Sequence, residues 1–187
     1  MNSSTSTISV ITMTLIKLRA FTELLKPRLS LLVAFSCAFG YGLASHGNIN
    51  WTTLFILTFS GFLLSGASVT INQIIEKDLD QLMERTKFRP MPTEVLSFLE
   101  AILFCTLLGV VGTVLLWVYT NPLSGILGFI SIILYAIIYT PLKRKTPFSV
   151  FVGAFPGALP TLIGGVAASS GFGEITFFTF AALVVST

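Results

Sequence analysis

The stretch AILFCTLLGVVGTVLLWVYTNPLSGILGFISIILYAIIYTPL, residues 101–142, carries no charged side chain, and its reading decides the fold class. Its break is Thr120-Asn121-Pro122, a turn-forming triplet that divides the run in two. A hydrocarbon core about 30 Å thick needs roughly 20 helical residues, so each half is a span. The two spans cover residues 96–119 and 123–140. Working outward, residues 29–45, 51–75 and 148–169 meet the same criterion. A sixth apolar run, residues 175–185, stops short of a full crossing.

Composition agrees with this reading. Of 187 residues, 53% are hydrophobic and 10% charged, against about 25% charged in an average soluble domain. So little polar surface excludes a water-soluble enzyme, a disordered tail and a nucleic-acid module. The net charge of +3 is explained by where the cations sit. Cys37 and Cys105 lie inside apolar runs, which leaves neither a disulfide framework nor a cysteine metal site. The fold class is all-α, a polytopic transmembrane helix bundle.

All Lys and Arg residues fall in three places: before the first span (Lys17, Arg19, Lys26, Arg28), between the second and third (Lys77, Arg85, Lys87, Arg89), and between the fourth and fifth (Lys143, Arg144, Lys145). The alternate connections carry none. The positive-inside rule puts the N-terminus and these loops on the cytoplasmic face. Residues 1–16, rich in Ser and Thr, lack the basic start of a signal peptide and read as a disordered or interfacial lead-in.

Four of the eight acidic residues are packed between Glu76 and Glu84, where the second span leaves the membrane. Ionisable groups at such a boundary need water, a cation or a partner, which makes them functional candidates. Asn72, Glu76 and Asp80 recur at i, i+4 and i+8. On a helix they share a stripe about 80° wide and about 12 Å long, with the two carboxylates about 6 Å apart along the axis. Asp78 points roughly 160–200° away and reads as solvated. Oxygen ligands of this kind suit Mg²⁺, which is held by one or two carboxylates together with substrate phosphates. Arg85 and Arg89 follow and can fork onto phosphate, while Pro90 and Pro92 are expected to end the helix.

A second polar cluster, Tyr139-Thr-Pro-Leu-Lys143-Arg144-Lys145, belongs to the same face. Lys-Arg-Lys serves equally as an ordinary cytoplasmic stop or as a set of cations near the first cluster, with Tyr139 beside them at the boundary. The fifth span contains Pro156, Pro160 and several glycines. Prolines free backbone carbonyls, which membranes tolerate only inside protein or along a cavity, so this helix reads as bent and pocket-lining. Trp51, Trp117, His46 and both cysteines read as packing or interface residues.

The run N-x-x-x-E-x-x-x-D-x-x-M-x-R-T-x-x-R-P at Asn72–Pro90, followed by Y-T-P-L-K-R-K-T from Tyr139, resembles the UbiA-type superfamily of intramembrane prenyltransferases. Within it, G-A-F-P-G-A-L-P-T-L-I-G-G at residues 153–165 is most similar to the haem-farnesylating branch. The resemblance covers residue 25 to the end, which leaves residues 1–24 as the lead-in. It implies a nine-helix bundle with a lateral opening for the prenyl chain and two acidic motifs bracketing a diphosphate. By analogy Asn72, Glu76 and Asp80 form the first motif, Glu76 standing where many members have Asp. Glu76 and Asp80 would reach Mg²⁺ through the diphosphate. Arg85, Arg89, Lys143 and Arg144 would hold the diphosphate itself, and Tyr139 would face the prenyl pocket.

The implied reaction joins farnesyl diphosphate to a vinyl group of haem b in a bacterial-type inner membrane. The second acidic motif belongs between spans six and seven, beyond these residues, so this stretch is expected to be a part of the enzyme that is inactive alone. Two rivals stand beside that reading. One is prenylation of a quinone-precursor ring such as 4-hydroxybenzoate. The other is a transporter, which should show paired interrupted helices in two repeats, whereas a single span here is interrupted by Pro and Gly.

Overall fold

Local chemistry sets the helix boundaries in the computed structural model, which describes residues 3–169, with side chains from residue 12. The Asn50 side chain accepts from the Thr52 and Thr53 amides and starts α3 (Trp51–Ile75). Ser97 and Glu100 form a reciprocal capping box at the head of α5 (Phe98–Tyr119). Asn121 accepts from the Ser124 amide, and Pro122 opens α6 (Pro122–Leu142). The remaining helices are α1 (Ser3–Leu25), α2 (Pro27–Ala44), the short α4 (Lys77–Leu82) and α7 (Ser149–Ser169).

Five of these, α2, α3, α5, α6 and α7, are long and apolar enough to cross a membrane. Their ends agree with the spans expected from sequence to within a few residues. The sixth apolar run, residues 175–185, lies outside the described residues.

Helix α3 is the centre of the bundle, packed against α5 on one side and α2 on the other, while α2 in turn lies along α7. Leu57, Leu64, Leu116, Ile132 and Ile163 meet in a common core cluster drawn from four spans. Small residues allow the closest approach. A Cβ at Gly164 would collide with the Cys37 carbonyl of α2, and one at Gly40 with the Thr161 carbonyl of α7. Backbone packs on backbone at this crossing.

Of the two readings of the lead-in, disordered or interfacial, the disordered one is corrected, because the segment is helical from Ser3. Its last turns are seated by Ala20 and Leu24, which bury against Met91, Leu96 and Ala101. The Lys17 ammonium also pairs with Glu100 at the head of α5. Apolar burial and a cross-helix ion pair override the Ser/Thr-rich composition. At its C-terminal end the Leu24 carbonyl accepts from the buried Gln73 amide at 2.8 Å, tying α1 to the last turns of α3.

Candidate active site

Helix α3 ends one residue short of its first acidic side chain. Glu76 lies at the α3–α4 junction with φ −94° and ψ 3°, a bridge conformation often found in active sites. The register survives the junction: the Glu76 amide donates to the Asn72 carbonyl at 3.0 Å and the Asp80 amide to the Glu76 carbonyl at 2.9 Å. Asn72, Glu76 and Asp80 therefore keep their i, i+4 spacing although the helix is interrupted between them.

Asn72 is buried and its amide is oriented from both sides. Nδ2 donates to Glu76 Oε2 at 2.8 Å, while Oδ1 lies 2.9 Å from the Thr140 hydroxyl and 3.5 Å from Lys143 Nζ. Glu76 Oε1 is 2.8 Å from Lys143 Nζ and 3.3 Å from the Arg144 guanidinium. Burial alone would raise the Glu76 pKa, but the Lys143, Asn72 and Arg144 bonds outweigh it and hold the carboxyl below its ordinary range. Two sequence clusters almost seventy positions apart thus meet at a single carboxylate.

Asp80 is buried and forms a separate pair with Arg89, Oδ2 to the guanidinium at 2.7 Å. Asp78 is exposed, as the stripe geometry predicts. Pro90 and Pro92 do not end this helix. It closes at Leu82, where Met83 turns extended and the Thr86 hydroxyl donates to the Asp80 carbonyl. The resulting loop folds Arg89 back onto Asp80. Arg85 stays exposed and enters none of the ion pairs among the described residues.

Toward the membrane the site opens on an apolar cavity of about 300 Å³, lined among others by Leu29, Ser68, Tyr135, Tyr139, Gly157 and Pro160. Tyr139 borders this cavity, and Lys143 Nζ is 5.9 Å from its ring centre. It ends a π-helical stretch, Ile133–Tyr139, of the kind that often marks functional sites. The wide turn is stabilised by Thr140, whose amide and hydroxyl both approach the Tyr135 carbonyl. On α7, Pro156 and Pro160 face this cavity as the sequence predicts.

Two residues of this cluster escape notice in the sequence. Thr140 is fully buried and aims its hydroxyl at Asn72. Lys26, in sequence simply one of several loop cations, lies within electrostatic range of Arg89, Asp80, Glu76 and Lys143. The only available signal was its position directly before Pro27 at the mouth of a span.

Among the described residues no three acidic, His or Cys side chains converge into a protein-only metal cage. Glu76 and Asp80 instead offer hard oxygen donors beside four cations, a set that fits Mg²⁺ completed by phosphate oxygens.

A cluster of oriented amide, carboxylates and cations thus caps an apolar pocket in a membrane bundle. Residues 33–187 match the model of the UbiA prenyltransferase family. The chain belongs to that family. It is 49% identical over 152 residues to a protoheme IX farnesyltransferase of Christiangramia forsetii, covering 81% of this chain and 50% of the relative. A protoheme IX farnesyltransferase of Flavobacterium johnsoniae is 43% identical over 175 residues, covering 92% and 57%. The chain spans about half the length of the curated relatives it matches.

Solved structures share the fold of this UbiA-family chain. A structure described as digeranylgeranylglyceryl phosphate synthase matches with a TM-score of 0.81 at 22% identity, covering 91% of this chain and 59% of that one. A UbiA homologue from Archaeoglobus fulgidus, bound to DMAPP and Mg²⁺, matches with a TM-score of 0.69 at 20% identity, covering 89% and 60%. The protein is an integral, multi-pass membrane protein of the UbiA fold.

Proposed function

We propose that this chain forms the diphosphate-binding half of an enzyme that transfers a farnesyl group from farnesyl diphosphate to a vinyl group of haem b. The observation that carries the reading is the meeting of Asn72 and Glu76 with Lys143 and Arg144 at the mouth of the apolar cavity. The substrate pair comes from the names of relatives at 43–49% identity.

In this reading the prenyl chain lies in the cavity beneath Tyr139 and its diphosphate rests among the cations. Lys143 and Arg144 exchange the Glu76 carboxylate for phosphate oxygens, and Arg89 turns from Asp80 in the same way. Glu76 and Asp80 are then free to hold Mg²⁺, which would neutralise the diphosphate as a leaving group. The cations stabilise the charge that builds as the allylic C–O bond breaks. Thr140 holds the Asn72 carbonyl oxygen, which keeps the amide nitrogen turned toward Glu76. The vinyl carbon then attacks the allylic cation, and water completes a hydroxyethylfarnesyl product. The basic loops face the cytoplasm, as the charge distribution supports, and in this reading the membrane is a bacterial-type inner membrane.

Because the relatives are about twice as long, the assay uses a chimera with the C-terminal half of the C. forsetii relative placed behind residue 187. Membranes carrying it receive labelled farnesyl diphosphate with either haem b or 4-hydroxybenzoate. Label entering haem is the expected result. Label entering only 4-hydroxybenzoate would move the chain to aromatic prenylation.

A further inference from the structure

We infer that Lys26 is a diphosphate-binding residue, delivered by the α1–α2 elbow to the cluster of Asn72, Glu76, Asp80, Arg89 and Lys143. The inference rests on the prenyl diphosphate reading above and adds a residue from a third part of the chain.

The backbone supplies the first observation. Lys26 has φ 44° and ψ 66°, in the left-handed region that favours glycine, and it directly precedes Pro27. Lysine is a poor choice for that geometry. It is also a poor helix start: the side chain makes no capping bond, and a cation at the N-terminus of α2 opposes the helix dipole. The fold nevertheless holds the elbow firmly. Gln73 donates to the Leu24 carbonyl, the Ser30 hydroxyl donates to the Leu25 carbonyl at 2.8 Å, and the Leu29 and Ser30 amides donate to the Lys26 carbonyl. Gln73 directly follows Asn72, so the elbow is fastened beside the site's central amide. Strain maintained this way is characteristic of functional positions.

The side chain supplies the second. Lys26 is half-buried and joins none of the hydrogen bonds or ion pairs that bind Arg89, Lys143 and Arg144 to carboxylates. Burial, with Arg89 and Lys143 nearby, lowers its pKa, and Asp80 and Glu76 only partly oppose this. Among the described residues no carboxylate lies within ion-pairing distance of its ammonium, which is left short of an anion. Two carboxylates, Glu76 and Asp80, face four cations, Lys26, Arg89, Lys143 and Arg144, so two positive charges are left over. A diphosphate partly neutralised by Mg²⁺ answers that excess, and Lys26 can receive it without first breaking an ion pair.

Binding of farnesyl diphosphate and farnesyl monophosphate to the chain in lipid nanodiscs, with Mg²⁺ present, tests this. Lys26→Met and Lys26→Gly should weaken diphosphate binding about tenfold, the loss expected for one charged hydrogen bond. The monophosphate should lose less, and Lys26→Arg should retain diphosphate affinity. Lys26→Gly should melt no lower than the parent, since glycine suits the backbone, which separates binding from folding. Parent-like diphosphate affinity in Lys26→Met, with Arg144→Met weakened, would overturn the role of Lys26 alone. Unchanged binding in both variants, or none by the parent, would overturn the diphosphate reading as well. If Met, Gly and Arg variants all weaken in step with a lower melting point, Lys26 is structural and the inference fails.

Discussion

Helices α3 and α5 lie side by side and are nearly equal in length, yet they are built on opposite principles. In α3, 61% of the most apolar stretch is buried inside the bundle, and in α5 only 22%. The buried helix is the more polar one. Its interior face carries Ser60, Ser65, Ser68, Thr70, Asn72 and Gln73. Helix α5 instead exposes Leu103, Leu107, Val110, Val114 and Val118. In water the ranking would be reversed. In lipid, apolar side chains gain little by leaving the surface, and close packing of small residues with internal hydrogen bonds holds helices together. The hydroxyls of Ser60, Ser68 and Thr70 bond carbonyls four residues back and so are satisfied without neighbours. Polar content in a span therefore marks the helix that faces the site, and greasy content marks the wall.

Several substitutions would break or sharpen that contrast. The largest effect is expected from Ser60→Leu. Ser60 is fully buried, and its carbonyl lies 3.2 Å from where a Cβ on Gly112 of α5 would stand. Overpacking that crossing should cost about 1–3 kcal/mol or more, visible as a lower melting point in nanodiscs. Gln73→Leu comes next. It leaves the Leu24 carbonyl without its buried donor, for a loss of about 1–2 kcal/mol and faster proteolysis of α1.

A smaller effect concerns pH. Because Glu76 has a lowered pKa in the folded chain, its pairing with Lys143 and Arg144 contributes fully above the ordinary carboxyl value of 4.5. That contribution is lost as pH falls through the lowered value. Melting point should thus decline below pH 4.5 in the parent and decline less in Glu76→Gln. The smallest effect is expected from Leu107→Ala on the exposed face of α5, within about 0.5 kcal/mol. A loss there as large as at Ser60 would show that α5 is packed against protein and not against lipid.

Spans are legible in the sequence because lipid imposes one requirement, about twenty apolar residues bounded by polar turns such as Thr120-Asn121-Pro122. The site is legible where it follows helical spacing, as for Asn72, Glu76 and Asp80. It becomes illegible where the chain leaves the helix. The bridge conformation at Glu76, the early end at Leu82 and the return of Arg89 to Asp80 depend on loop packing that no periodicity encodes. Thr140 joins the site through a contact distant in sequence, and α1 is ordered by burial against Met91 and Leu96. Neither kind of contact leaves a local pattern.

The proposed reaction depends on one face of the α3–α4 junction, and not on its negative charge as such. Steady-state haem farnesylation by the chimera with Glu76→Gln, Asp80→Asn or Asp78→Asn tests it most directly. Each substitution removes one carboxylate, but only Glu76 and Asp80 lie among the cations, while Asp78 faces solvent. Turnover should fall at least about a hundredfold for Glu76→Gln and Asp80→Asn, the scale of losing one preorganised charge contact, and less than about threefold for Asp78→Asn. Equal losses at all three positions would contradict the account.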